Sequence, residues 1–217
     1  MTSIVSHLSK SLYILFLAGW FTQAAVAQNF NFNIGGGPGF PLSSTGDFAG
    51  ISYNFVAGGG PNLTPHVKLV GEFMFHGLPP LQNVLDQAGV PSGKGRLYVL
   101  SANVMVGTGN TRRGVYLIGG GGWYRRTIEA QATQFRAGEV CAPVLAWWNV
   151  QCVNGIFPTN VTIASNTSSA PGFNIGGGFT FSPWQSAPYF YTEVRYHRAF
   201  TGKIDTTILP LTFGIRF

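Results

Sequence analysis

Eight stretches of this chain place an apolar side chain at every second position with a small or polar one between. In "FAGISYNFVAG", Ile51, Tyr53 and Phe55 alternate with Gly50, Ser52 and Asn54. In "HVKLVGEFMFHG", Val67, Leu69, Phe73 and Phe75 alternate with His66, Lys68, Glu72 and His76. The same scheme runs through "NFNFNIGG", "LYVLSANVMVG", "VYLIGGGGWY", "GFNIGGGFTFS", "YFYTEVRYH" and "TILPLTFGIRF". A period of two is that of a β-strand, whose successive side chains point to opposite faces. Most of these stretches run about 9–11 residues, the length a tilted strand needs to cross a bilayer.

Composition decides which face meets which solvent. Only 9% of residues are charged, against roughly 25% in soluble domains. Such a chain lacks the polar surface to keep a greasy sheet face buried under a wet exterior. No stretch reaches the ~18–20 apolar residues of a spanning helix. The connections alternate as well: "PGFPLSSTGD", residues 77–95 and residues 125–171 are long, whereas "GGPNLTP", "TGNTRR" and "SPWQSAP" are short. These features predict an all-β, eight-stranded, antiparallel up-and-down transmembrane β-barrel over residues 28–217, with short turns and both termini on the periplasmic side.

The hexapeptide "FNIGGG" occurs twice, at 32–37 and 173–178, and a third glycine run occupies 119–122. The lumen of an eight-stranded barrel only just fits side chains. Inward glycines leave room for bulky neighbours and ease tight curvature, with Asn33 and Asn174 facing the lumen and Ile34 and Ile175 facing lipid. No helix or Lys-Ser/Thr follows either copy, so a phosphate loop is not indicated. Pro210 sits within the last stretch, where it cannot donate to a ladder. A bulge, or pairing that begins only after it, would accommodate it.

The amino end, "SLYILFLAGWF" after Lys10 and before Ala25-Val26-Ala27, reads as a secretory signal over residues 1–27. Export brings an oxidising compartment, so Cys141 and Cys152 in "CAPVLAWWNVQC" are expected to form a disulfide. Trp147 and Trp148 lie between them.

The final residues Phe213, Ile215 and Phe217 step in twos to the carboxyl end. This resembles the terminal strand that the barrel-assembly machinery reads in bacterial outer-membrane proteins. With the signal and eight strands, the chain is similar to the OmpA transmembrane domain and to OmpX-like proteins. The resemblance implies residence in the outer membrane of a Gram-negative cell among lipid and lipopolysaccharide, a porin-like barrel, and no cofactor.

Parity puts Lys68, Glu72, Glu193, Arg195 and Arg216 on the lumen face. Buried charges persist only when paired, so these five are expected to form a charge network: a static plug or an ion gate. Arg112-Arg113 sit in a short turn facing the periplasm, and Arg125-Arg126, where the fifth strand leaves the membrane outward, are candidates for lipopolysaccharide phosphates. Trp123, Tyr124, Trp184 and Tyr189 fall at strand ends, as interfacial girdles do. An enzyme is not expected. His197 has Ala199 where the outer-membrane lipid A deacylases carry a serine, and the acids Asp47, Asp86, Glu129, Glu139 and Asp205 are scattered singly. His66 and His76 are too far apart along a strand to share a metal. The basic pairs make no continuous face for nucleic acid. The expected role is structural or adhesive, displaying the 125–171 loop to an unknown ligand. The alternatives are a narrow ion or small-solute channel and a soluble lipocalin-like carrier.

Overall fold

The computed structural model describes residues 30–108, 113–143, 150–183, 188–202 and 204–217. The proposed signal segment, Arg112, Trp147, Trp148 and Trp184 lie outside them. Eight strands follow in chain order: β1 (Phe30–Pro41), β2 (Ser52–Pro61), β3 (Val67–Gly77), β4 (Ser92–Gly107), β5 (Arg113–Pro143), β6 (Val150–Phe181), β7 (Tyr189–Ala199) and β8 (Thr206–Arg216). Each pairs antiparallel with its sequence neighbour, and β8 pairs back to β1 through Asn33 opposite Arg216, so the sheet closes into a barrel. Closure leaves no edge strand, the requirement for a sheet surrounded by lipid.

Alternation carries directly into burial. Phe32, Ile34, Tyr53, Phe55, Leu100, Leu117, Ile175 and Phe213 point outward and are exposed, while their neighbours Asn31, Asn33, Ser52, Asn54, Ser101, Tyr116, Asn174 and Thr212 are buried inside. The apolar skin is the reverse of what a soluble carrier requires, an apolar interior under a polar exterior.

The glycine runs make room. A Cβ on Gly178 would lie 2.5 Å from the Tyr116 ring, one on Gly35 would lie 2.5 Å from the Tyr191 hydroxyl, and one on Gly58 would lie 2.5 Å from the Glu72 side chain. Three large inward side chains therefore fit only because the wall opposite them carries no side chain.

Three features depart from the sequence expectations. First, residues 125–171 are mostly not a loop. β5 and β6 run 31 and 32 residues and pair with each other from Arg113–Phe181 out to Pro143–Val150. Their outer neighbours stop earlier: β4 at Ser92 opposite Gln131, and β7 at Ala199 opposite Gly172. Beyond those rungs a two-stranded arm projects, roughly 40 Å long at the usual rise per residue. A register shift at Ala130/Gln131 leaves Ile163 unpaired as a bulge at the root of the arm, where bulges redirect strands. Second, Pro210 causes neither a bulge nor a late start. β8 keeps one register with β1 on both sides of Pro210, and the ladder opens only over the rungs facing Gly37 and Pro38. On the β7 side it opens at Arg195 and Tyr196 and resumes at His197 opposite Ile208. Local loss of a few bonds accommodates the missing donor without moving the side chains to the other face. Third, the connection after β3 contains a short helix, α1 (Gln82–Gln87). Leu85 of α1 reaches over the inner side of Gly93 at the arm end of the barrel.

Candidate functional site: the barrel lumen

The lumen is layered. At the arm end Val56, Met74, Leu78, Leu97, Val99, Tyr124, Ala199 and Ile208 form one apolar cluster, and towards the termini Val70, Met105, Tyr116 and Ile118 form another. Between them lies a polar layer. The inner face is therefore not uniformly polar: aliphatic and methionine side chains point inward among the polar ones in the alternation.

Arg195 is the centre of the polar layer. Its Nη1 donates to Glu72 Oε2 at 2.5 Å, its Nε donates to Glu193 Oε1 at 2.8 Å, and its Nη2 also donates to Glu193. The carboxylates have further donors. Asn33 Nδ2 donates to Glu72 Oε1 at 3.0 Å and Asn103 Nδ2 to Glu72 Oε2 at 2.7 Å. Tyr116 Oη donates to Glu193 Oε2 at 2.9 Å, and Asn174 Nδ2 donates to Asn103 Oδ1 at 2.8 Å. The network thus joins side chains of β1, β3, β4, β5, β6 and β7 across the lumen. Arg195 and Glu72 are 2% exposed and Glu193 is 3% exposed. A pair withdrawn from water to this degree holds its charges only because its geometry and its extra hydrogen bonds are complete.

Of the five charged residues expected in one network, Glu72, Glu193 and Arg195 meet. Lys68 and Arg216 do not join them and lie nearer the termini. Arg216 is held between the rings of Tyr116 and Tyr191, with its guanidinium carbon 4.8 Å and 4.7 Å from their centres. His197 shares a 3.0 Å hydrogen bond at Nδ1 with Tyr124 Oη and stands edge-on to His76, with ring centres 6.1 Å apart. Among the described residues no group of three or more His, Cys, Asp or Glu side chains could hold a metal.

Tyr124 and Tyr189 are not girdle residues: Tyr124 faces the lumen and Tyr189 lines the mouth at the termini end. Trp123 does face outward, and the aromatic contacts on the skin near the arm end include Tyr53–Phe75 and Phe75–Tyr98, at 5.9 and 5.3 Å. Arg125 and Arg126 fall on opposite faces; Arg126 turns in to donate to Thr206 Oγ1 at 2.9 Å. Phe213, on the outer side of β8, and Phe217, just past its end, are both exposed. In the arm, Cys141 stands directly opposite Cys152 on the paired strand. Sequence reasoning missed Tyr116 and Asn103 as partners of the carboxylates, although their inward parity beside Val115 and Val104 was available.

A closed eight-stranded barrel with an apolar skin and a hydrogen-bonded core is the architecture of the small membrane-spanning barrels. Solved structures share it. The chain is similar to Neisserial surface protein A (14% identity, 86% of this chain and 95% of that chain, TM-score 0.54). It is also similar to a major outer membrane protein from Thermus thermophilus (10% identity, 87% and 98%, TM-score 0.50). A third similar structure is Ail, the attachment invasion locus protein of Yersinia pestis (12% identity, 87% and 99%, TM-score 0.48). No protein-family model matches the sequence, and neither does any curated protein.

Proposed function

We propose that this protein is a non-catalytic outer-membrane barrel whose plugged lumen makes a rigid base for a displayed β-arm, with a structural or adhesive role at the cell surface. The observation that carries the reading is the contrast between the two parts. The lumen is crossed by a buried, fully engaged Glu72–Arg195–Glu193 layer, while β5 and β6 continue far past their neighbours. A narrow channel would need the ionic layer to part. The arm lies on the extracellular side in this reading and both termini lie in the periplasm.

Three interactions follow. Lys94, Arg96 and Arg125 share the outer face of the β4–β5 pair at the arm end, next to Trp123 and Leu100. Basic side chains just beyond an apolar band suit lipopolysaccharide phosphates, which guanidinium groups match in geometry. Glu129 tempers this cluster by pairing with Arg96 at 3.4 Å. Phe213, Ile215 and Phe217 are the signal offered to the barrel-assembly machinery. Cys141 and Cys152 form the disulfide expected of an exported chain, locking the arm.

The test is an adhesion assay with cells producing the wild type or a variant in which residues 133–160 are replaced by an Asn-Gly turn, a dipeptide suited to tight hairpins. The variant is expected to reach the outer membrane at the wild-type level, as a band that migrates differently when unboiled, and to lose adhesion to host-cell or extracellular-matrix surfaces. Equal adhesion by the two proteins would remove the display reading.

A further inference from the structure

At the end of the barrel opposite the arm, a cavity of about 400 Å³ opens into the lumen. Its wall includes Lys68 and Arg216, the neutral donor Asn62, and the apolar side chains of Leu63 and Met105. Its charge is unbalanced. Both lumen carboxylates of the central layer are engaged by Arg195, and neither Lys68 nor Arg216 forms an ion pair with any described residue. Arg216 is 3% exposed. Its Nη1 donates to the Met105 sulfur at 3.4 Å, and its Nε and Nη2 have no hydrogen-bond partner among the described residues. The two flanking tyrosine rings fix the guanidinium plane, and stacking of this kind satisfies the faces of the group while leaving its N–H edge free.

A buried cation without a counter-charge is costly. The cost is relieved by an anion, and the surroundings say which kind. A guanidinium edge presents two parallel donors to a carboxylate or phosphate, Lys68 adds a point charge, and the apolar wall accepts a small greasy body. A volume of this size suits one small molecule. We propose that the mouth at the termini end binds a small organic oxyanion, a carboxylate or a phosphate monoester, held by Arg216 and Lys68.

The experiment is a chemical-shift titration of the ¹⁵N-labelled protein folded in detergent micelles, with benzoate and phenyl phosphate as separate ligands and inorganic phosphate as the probe without an apolar body. Saturable shifts are expected at the amides of Lys68, Tyr116 and Arg216, with one of the two organic ligands preferred and inorganic phosphate weaker. Lys68→Gln, at the half-exposed mouth, should raise Kd roughly tenfold, the loss of one charged hydrogen bond. Arg216→Lys, which keeps the charge but removes the fork, should weaken the carboxylate similarly. If Arg216→Lys does not fold, Lys68→Gln alone decides. Absence of saturable shifts for all three ligands up to about 10 mM, the weak end of specific binding, would overturn the site. So would saturable shifts confined to other residues, or a Kd that Lys68→Gln leaves unchanged.

Discussion

Arg195 serves two carboxylates at once, and this makes the three members of the layer unequal. Removing the cation strands Glu72 and Glu193, both buried, with only asparagine and tyrosine donors left to them. Leaving a buried charge unpaired costs about 3–5 kcal/mol. Arg195→Met is therefore expected to destabilise the folded barrel by about that much, whereas Glu193→Gln, which keeps the Arg195–Glu72 pair and a hydrogen-bonding side chain, should cost about 1–2 kcal/mol. Urea unfolding in micelles, followed by the shift of the unboiled band, measures both. Equal losses would mean that water reaches the layer. The face of each residue was legible from parity, but parity gives the face and not the height. Lys68 stands four residues from Glu72 on β3, and Arg216 pairs with Tyr189, four residues from Glu193 on β7. Four residues of strand are about 13 Å, too far for an ion pair, so five inward charges split into a triad and a separate basic mouth.

At the scale of elements, the barrel strands were legible and the arm was not, for one physical reason. A strand against lipid must be apolar at every second position, so "ISYNF" and "VKLVGEFMF" announce themselves. A ribbon standing clear of the sheet meets water on both faces and has no such constraint. One face of the β5 portion carries Gln131, Thr133, Phe135, Ala137 and Glu139, the other Ala132, Gln134, Arg136 and Gly138. Neither is apolar enough to signal a strand, and such a sequence reads as loop. Phe135 and Ile156 remain conspicuous, each 72% exposed on the same face, since Phe135 pairs with Pro158 and Ala137 with Ile156. An isolated two-stranded ribbon is marginally stable in water, which gives the proposed Cys141–Cys152 crosslink its purpose: holding the far end of the arm in register. Reduction of the purified protein, or Cys152→Ser, should leave the urea midpoint of the barrel unchanged, because the arm beyond Gln131 pairs only with itself. It should raise the rate of trypsin cleavage after Arg136 by at least roughly tenfold, in line with the ~3 kcal/mol that closing a loop of this size contributes. Unchanged cleavage would indicate that the arm is ordered without the crosslink.

For the molecule as a whole, the question is whether a ring of eight strands can conduct. Its lumen is filled from three sides: by the apolar cluster under the arm, by the ionic layer, and by the residues that the wall glycines admit. Tyr116 illustrates the economy of the arrangement. It enters because Gly178 has no side chain, closes the ionic layer by donating to Glu193, and carries Arg216 on its ring. An ion crossing this path would have to displace Arg195 from both carboxylates, since Arg195 bonds to both. In a planar bilayer the wild-type protein is therefore expected to show no steady unitary current at moderate voltage. Arg195→Ala combined with Glu193→Ala and Glu72→Ala removes the layer without leaving an unpaired charge, and should open small but resolvable steps in whatever fraction remains folded. Steady wild-type currents that disappear in Glu72→Gln would reverse the assignment, making the ionic layer a selective gate and the barrel a channel.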